Sequence, residues 1–129
     1  SNIEKIVNKS QILEIRDMLK QVPMSRLVEE YALKVVLATH ADYENAPELT
    51  KKYIRYGASP RAAQAIISTA KVRAVMEGRY NVSFDDIKYV APAALRHRFF
   101  MNFDAVADDI TPEKIIDEIL ISQLDSVRV

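Results

Sequence analysis

Cysteine and tryptophan are both absent from the 129 residues, and glycine occurs only twice. Without cysteine there is no disulfide, no thiolate nucleophile and no zinc ribbon, which suits a reducing cytoplasm. Two glycines and no tryptophan argue against a turn-rich β sandwich, so helix is the default. An excess of charge of one sign is also missing. The 18 basic residues cancel the 18 acidic ones, leaving no global field to draw the chain onto nucleic acid or an acidic membrane. Any phosphate binding has to be local. No apolar run approaches the roughly 20 residues that span a bilayer, and no signal peptide opens the chain. A soluble cytoplasmic protein with no membrane partner is expected. The two histidines, His40 and His97, lie far apart and in no ligand spacing, so no metal site is expected.

What is present is globular composition: 49% apolar and 28% charged residues. The length suits one domain with a real core rather than two. Residues 1–129 are therefore read as a single domain. The leading Ser1-Asn2, in place of a methionine, reads as the remnant of tag cleavage, and a fragment of a longer protein is expected.

The apolar positions recur at helical spacing. Ser10 can cap a helix carrying Ile12, Ile15, Leu19 and Val22, ended by Pro23. Ser25 caps a longer one to about His40, whose broad apolar arc from Leu27 to Ala38 marks a central core helix, with Glu30 and Lys34 paired on its wet face. Residues 41–56 fit a short helix or an extended arm equally. Pro60 to Glu77 is the clearest helix: Ala62, Ala63, Ile66, Ile67, Ala70 and Ala74 form a small-residue stripe, and Gly78 stands at the C′ position. An extended piece from Arg79 to Val82 leads to Ser83-x-x-Asp86, a capping-box start. Pro92 is expected to break that helix and begin another to about Arg98. After the apolar run Phe99, Phe100, Met101 and Phe103, Thr111-Pro112-Glu113 caps a last helix with Ile115, Ile116, Ile119 and Leu120 on one face. The expected fold is all-α, a compact helical bundle of five to seven helices with room for one short extended segment.

The most informative hexapeptide is Gly57 to Ala62, GASPRA. Ser59 is a favourable N-cap and Pro60 suits the first helical position. Arg61 follows, where a phosphate would meet both a cation and the unpaired amides of a helix start. The plain alternative is a solvated arginine beside an ordinary helix start.

The stretch from Tyr53 to Phe99, YIRYGASPRAAQAIISTAKVRAVMEGRYNVSFDDIKYVAPAALRHRF, resembles the C-terminal helical lid of the MoxR family of AAA+ ATPases. The likeness extends more weakly upstream through ILEIRDMLKQVPMS and the helix ending LATH, and downstream through TPEKIIDEIL. Five features stand in the family's order: GxSPRA, a small-residue helix, a turn containing GR, a capped helix opening on paired acids, and LRHR. The resemblance implies that Arg61 is the sensor 2 arginine, facing ATP held by the same subunit, with Gly57, Ser59 and Pro60 as its support. It also implies a nucleotide-binding core that holds ATP and magnesium, neighbouring subunits in a hexameric ring, chaperone-like remodelling, and a von Willebrand factor A domain protein as a companion. The sequence departs from a complete member in having no GxxxxGK[ST] and no strand-borne acids for magnesium, so it cannot hydrolyse ATP alone. Asn81 and Phe84 also differ from common family residues around the turn.

Other clusters have plainer readings. Arg96-His97-Arg98 beside Phe99, Phe100 and Phe103 has the makings of a single-stranded nucleic-acid contact. Cations equally complement a helix C-terminus, and the phenylalanines are expected to fill the core. Asp85-Asp86, Asp104 and Asp108-Asp109 are read as helix-start carboxylates. His40 is read as solvated, and Tyr53, Tyr56, Tyr80 and Tyr89 as partly buried packing residues. The rival to an ATPase lid is a free-standing helical adaptor or nucleic-acid-binding bundle.

Overall fold

The computed structural model describes residues 20–128, together with Leu13, Glu14 and Asp17. The expected first helix, with Ser10, Ile12, Ile15 and Leu19, falls largely outside the described residues; Val22 at its end is buried.

Helix α1, Arg26–Leu37, starts where the Ser25 hydroxyl accepts from the Val28 amide, and it buries Val28, Tyr31, Ala32, Val35 and Val36. It is central: α1 packs on three later helices. Two of these are α3, Arg61–Met76, and α4, Phe84–Leu95. The third is α6, Pro112–Arg128. Tyr31 shows why the arc is broad, since its ring meets Phe84 edge-on and its hydroxyl donates to the Leu120 carbonyl at 2.7 Å. Glu30 and Lys34 form the expected pair at 3.2 Å.

The small residues of α3, Ala62, Ala63, Ala70 and Ala74, are buried with Ile66. Short side chains let helices approach closely, and α3 makes its most extensive contact with α4. Gly78, at φ +73°, ends α3 in a Schellman turn: its amide donates to Val75 and the next, of Arg79, to Ala74. Ser83 and Asp86 then form the expected capping box of α4.

Pro92 does not break α4. The helix runs through it to Leu95, burying Ile87, Val90, Ala91 and Leu95. Burial on both sides of the proline outweighs the roughly 3 kcal/mol that it costs a helix interior. The segment left open contains α2, Glu48–Tyr53, and strand β1, Ile54–Tyr56. Strand β1 pairs antiparallel with β2, Phe100–Met101, in the register Tyr56↔Phe100. The expected extended piece before α4 makes only an isolated parallel bridge, Met24↔Val82.

A five-residue helix, α5, Phe103–Ala107, follows β2 and is capped by Asn102. Phe99 is buried, but Phe100 and Phe103 are 65% and 86% exposed, so the expectation that all three fill the core fails for two. The cause is position: Phe100 sits on a two-stranded ribbon with an open face, and Phe103 opens a short helix whose single buried residue is Ala105. Among the described residues the architecture is therefore six helices and one small ribbon, the all-α bundle the sequence implies. Among the described residues no helix is long and apolar enough to cross a membrane.

Candidate functional site

Arg61 is the first residue of α3. Its side chain is exposed, and among the described residues it makes no ion pair, hydrogen bond or ring contact. By contrast Arg73, Arg79 and Arg96 are all committed to carboxylates. The next two residues, Ala62 and Ala63, are buried, so the helix is pinned by its apolar face while the guanidinium points away from the core.

The cap differs from the sequence expectation. Pro60, at φ −56° and ψ −23°, is the N-cap, and Ser59 makes no side-chain cap. Instead the Ser59 and Pro60 carbonyls accept from the amides of Ala62 and Ala63 at 2.9 and 3.1 Å. With φ preset by the proline ring, the chain tightens into a 3₁₀-like first turn and needs no side-chain acceptor. Two amides expected to await a phosphate are thereby occupied. The guanidinium remains the available cationic group.

The loop before Arg61 is held in an unanticipated way. Ala58 is wholly buried, and both of its backbone polar groups are met by side chains at the end of α1. Its amide donates to the Thr39 hydroxyl at 2.9 Å, and its carbonyl accepts from His40 Nε2 at 2.7 Å. The Thr39 hydroxyl in turn donates to the Val36 carbonyl at 2.6 Å. Because a carbonyl can only accept, Nε2 of His40 must carry a proton. His40 is thus half-buried and bonded, not the solvated side chain expected.

Gly57 has its own reason to be glycine. A Cβ there would stand 2.7 Å from Cγ and Nδ1 of His40 and 2.7 Å from the Thr39 carbonyl oxygen. The residue permits close approach of loop to helix end; it does not serve the torsional freedom expected of a turn. Nothing in local spacing reveals this, since His40 and Thr39 lie 17 and 18 residues away. The one available signal was that LATH and GASPRA both belong to the resemblance.

Several residues of the other clusters have structural partners. Asp86 is a cap, as expected, but also the buried acceptor of Arg73 and Arg79. The Arg79 guanidinium holds its carboxyl well below the usual carboxylate range, against the opposing effect of burial. Asp108 is not at a helix start: it closes α5 and accepts from the Tyr53 hydroxyl at 2.7 Å. Asp109 beside it adopts φ +58°. Arg96 pairs with Glu113 at 2.6 Å, and this bond lowers the Glu113 pKa. Of the four tyrosines only Tyr53 is buried. Tyr56, Tyr80 and Tyr89 are exposed, Tyr89 lying under the Arg73 guanidinium at 4.2 Å. Among the described residues no group of acids and histidines gathers in a metal-binding arrangement.

Comparisons with known proteins agree with this fold. Residues 46–119 match the family described as the AAA lid domain. The chain is 32% identical over 117 residues to Chaperone MoxR1 of Mycobacterium tuberculosis, covering 91% of this chain and 31% of that protein. It is 26% identical to the uncharacterized protein YeaC of Bacillus subtilis over 118 residues, covering 92% of this chain and 34% of the other. A crystal structure of a candidate ATPase from Cytophaga hutchinsonii superposes with a TM-score of 0.81 at 38% identity, over 88% of this chain and 34% of that one. The chain thus spans about a third of the length of these relatives.

Proposed function

Because the chain belongs to the AAA lid domain family, and its relatives include a MoxR chaperone, we propose that it covers ATP bound to a nucleotide-binding core and senses that nucleotide through Arg61. The observation that carries this reading is the setting of Arg61 in the GASPRA turn, since among the described residues Arg26 and Arg98 are also exposed without an ion pair. Arg61 is exposed and uncommitted at the start of a helix anchored by buried Ala62 and Ala63, while Arg73, Arg79 and Arg96 are spent on ion pairs.

A guanidinium held this way offers a planar fork of donors to terminal phosphate oxygens. It stabilises charge that develops there during phosphoryl transfer, and it releases when the phosphate is lost. Since Arg61 is rigidly joined to α3, that change passes to the body of the domain. The core supplies the phosphate-cradling loop and magnesium; this chain supplies the arginine, with Gly57, Ser59 and Pro60 shaping its approach. Coupling of hydrolysis to chaperone-like remodelling in a cytoplasmic ring, with a von Willebrand factor A domain companion, belongs to the same proposal.

The test is ATP turnover by the full-length protein carrying this domain and its core. Arg61→Ala is expected to lower turnover at least about tenfold, equivalent to about 1.4 kcal/mol of transition-state stabilisation. Arg61→Lys is expected to fail too, because a point charge does not reproduce the fork. Normal turnover by Arg61→Ala, with a lowered melting temperature, would make Arg61 a structural residue and overturn the reading.

A further inference from the structure

Between the end of α1 and the start of α3 the structure places a two-point clamp on a buried residue. Ala58 carries only a methyl group, yet both of its backbone polar groups are claimed by adjacent side chains, Thr39 at the amide and His40 at the carbonyl. Gly57, just before it, lies so close to the His40 ring that no side chain fits. Three residues after Ala58 comes Arg61, with only Ser59 and the torsionally fixed Pro60 between.

We propose that Thr39 and His40 are positioning residues for Arg61, fixing the loop from which its helix starts and linking the arginine to the end of α1. This inference rests on the sensor reading of Arg61 and deepens it, by naming what aims the arginine and which helix feels its movement.

An exposed arginine with no partner of its own has no side-chain contact to hold it in register. Its placement depends on where its Cα is carried. On the C-terminal side α3 fixes that Cα through buried Ala62 and Ala63. On the N-terminal side the 3₁₀-like turn at Ser59 and Pro60 is exposed and is tied to the end of α1 through Ala58. With the clamp present, Gly57 to Arg61 moves with α1 as one body. Without it, the loop is free to swing about Pro60, and small displacements of a charge-stabilising group cost rate steeply. The Thr39 hydroxyl also bonds the Val36 carbonyl, so the clamp is built into the last turn of α1 rather than laid on it. A shift of α1 therefore reaches Arg61 through two hydrogen bonds.

The experiment is a double-mutant cycle on ATP turnover by the full-length protein, with melting temperature recorded for every variant. His40→Phe keeps a ring beside Gly57 but removes the donor; His40→Gln keeps an N–H donor on a flexible side chain. His40→Phe is expected to lower kcat about tenfold, and His40→Gln to retain turnover within about twofold of wild type. In an Arg61→Ala background His40→Phe is expected to add less than about twofold, because its effect passes through the arginine. Should His40→Phe fail to fold, Thr39→Val against Thr39→Ser makes the same comparison at the Ala58 amide.

Losses that multiply in the double variant would overturn the proposal, as would normal turnover by His40→Phe where Arg61→Ala is impaired. In both cases the sensor reading survives. Normal turnover by Arg61→Ala removes the sensor reading and the clamp's role with it, so the two failures are told apart by which single variant stays active.

Discussion

Arg73 on α3 donates from Nη1 to Oδ1 of Asp86 on α4 at 2.6 Å, and that carboxylate is wholly buried. Arg79, turned back by the Schellman motif at Gly78, grips the same carboxylate from the other side. The Ser83 amide and hydroxyl also donate to it, at 2.8 and 3.1 Å. One acid thus caps α4 and ties it to both ends of the turn that precedes it. Asp86→Ala is expected to destabilise the domain by about 2–4 kcal/mol, the sum of a lost cap and a broken ion pair whose arginines can still reach water. Urea denaturation at neutral pH measures it.

The same carboxylate sets an acid limit. Its pKa is depressed in the fold, first by the Arg79 guanidinium. A depressed folded value means that the stability it contributes is complete above the unfolded carboxylate pKa, about 3.9. That stability is lost as pH falls from there through the lower folded value. Denaturation midpoints are expected to drop more steeply below about pH 4 for wild type than for Asp86→Asn, which has no carboxylate to protonate.

The two glycines are expected to respond to alanine for different reasons. Gly57→Ala drives a methyl to 2.7 Å from the His40 ring and the Thr39 carbonyl oxygen, and such overpacking costs about 1–3 kcal/mol. At Gly78 a Cβ meets nothing within 4 Å, but φ is +73°, so the cost is torsional, about 1–2 kcal/mol. Amide-proton exchange separates them: Gly57→Ala is expected to lose protection at the Ala58 amide, and Gly78→Ala at Arg79.

Tyr31→Phe removes the hydroxyl that donates to Leu120 across the α1–α6 contact. Leu120 lies inside α6, so its carbonyl keeps its place in the helical ladder, and the expected loss is that of one hydrogen bond, about 0.5–1.5 kcal/mol by thermal or urea unfolding.

Arg61→Ala, in contrast, is expected to change the stability of this domain by less than about 0.5 kcal/mol, because an exposed side chain without partners leaves nothing unpaired when removed. The 129-residue chain alone is expected to bind ATP negligibly in calorimetric titration, since no phosphate-cradling loop occurs in its sequence. Micromolar binding would contradict this.

The sequence by itself determined α1, α3, the start of α4 and α6, with their signals. Ser25, Ser83 and Thr111 cap where their residue types predict, Gly78 ends α3, and the alanine stripe is buried as its spacing requires. These features are legible because caps and periodicity act within one or two turns of chain. The position of Arg61 was legible for the same reason. Tertiary structure alone decided the continuity of α4 through Pro92, the exposure of Phe100 and Phe103, and the pairing of β1 with β2, since each depends on what packs against the segment from elsewhere. It also decided why Gly57 is glycine and what His40 does. Those two residues meet across 17 positions of sequence, a contact that arises only when α1 and α3 are laid side by side and that no local pattern encodes.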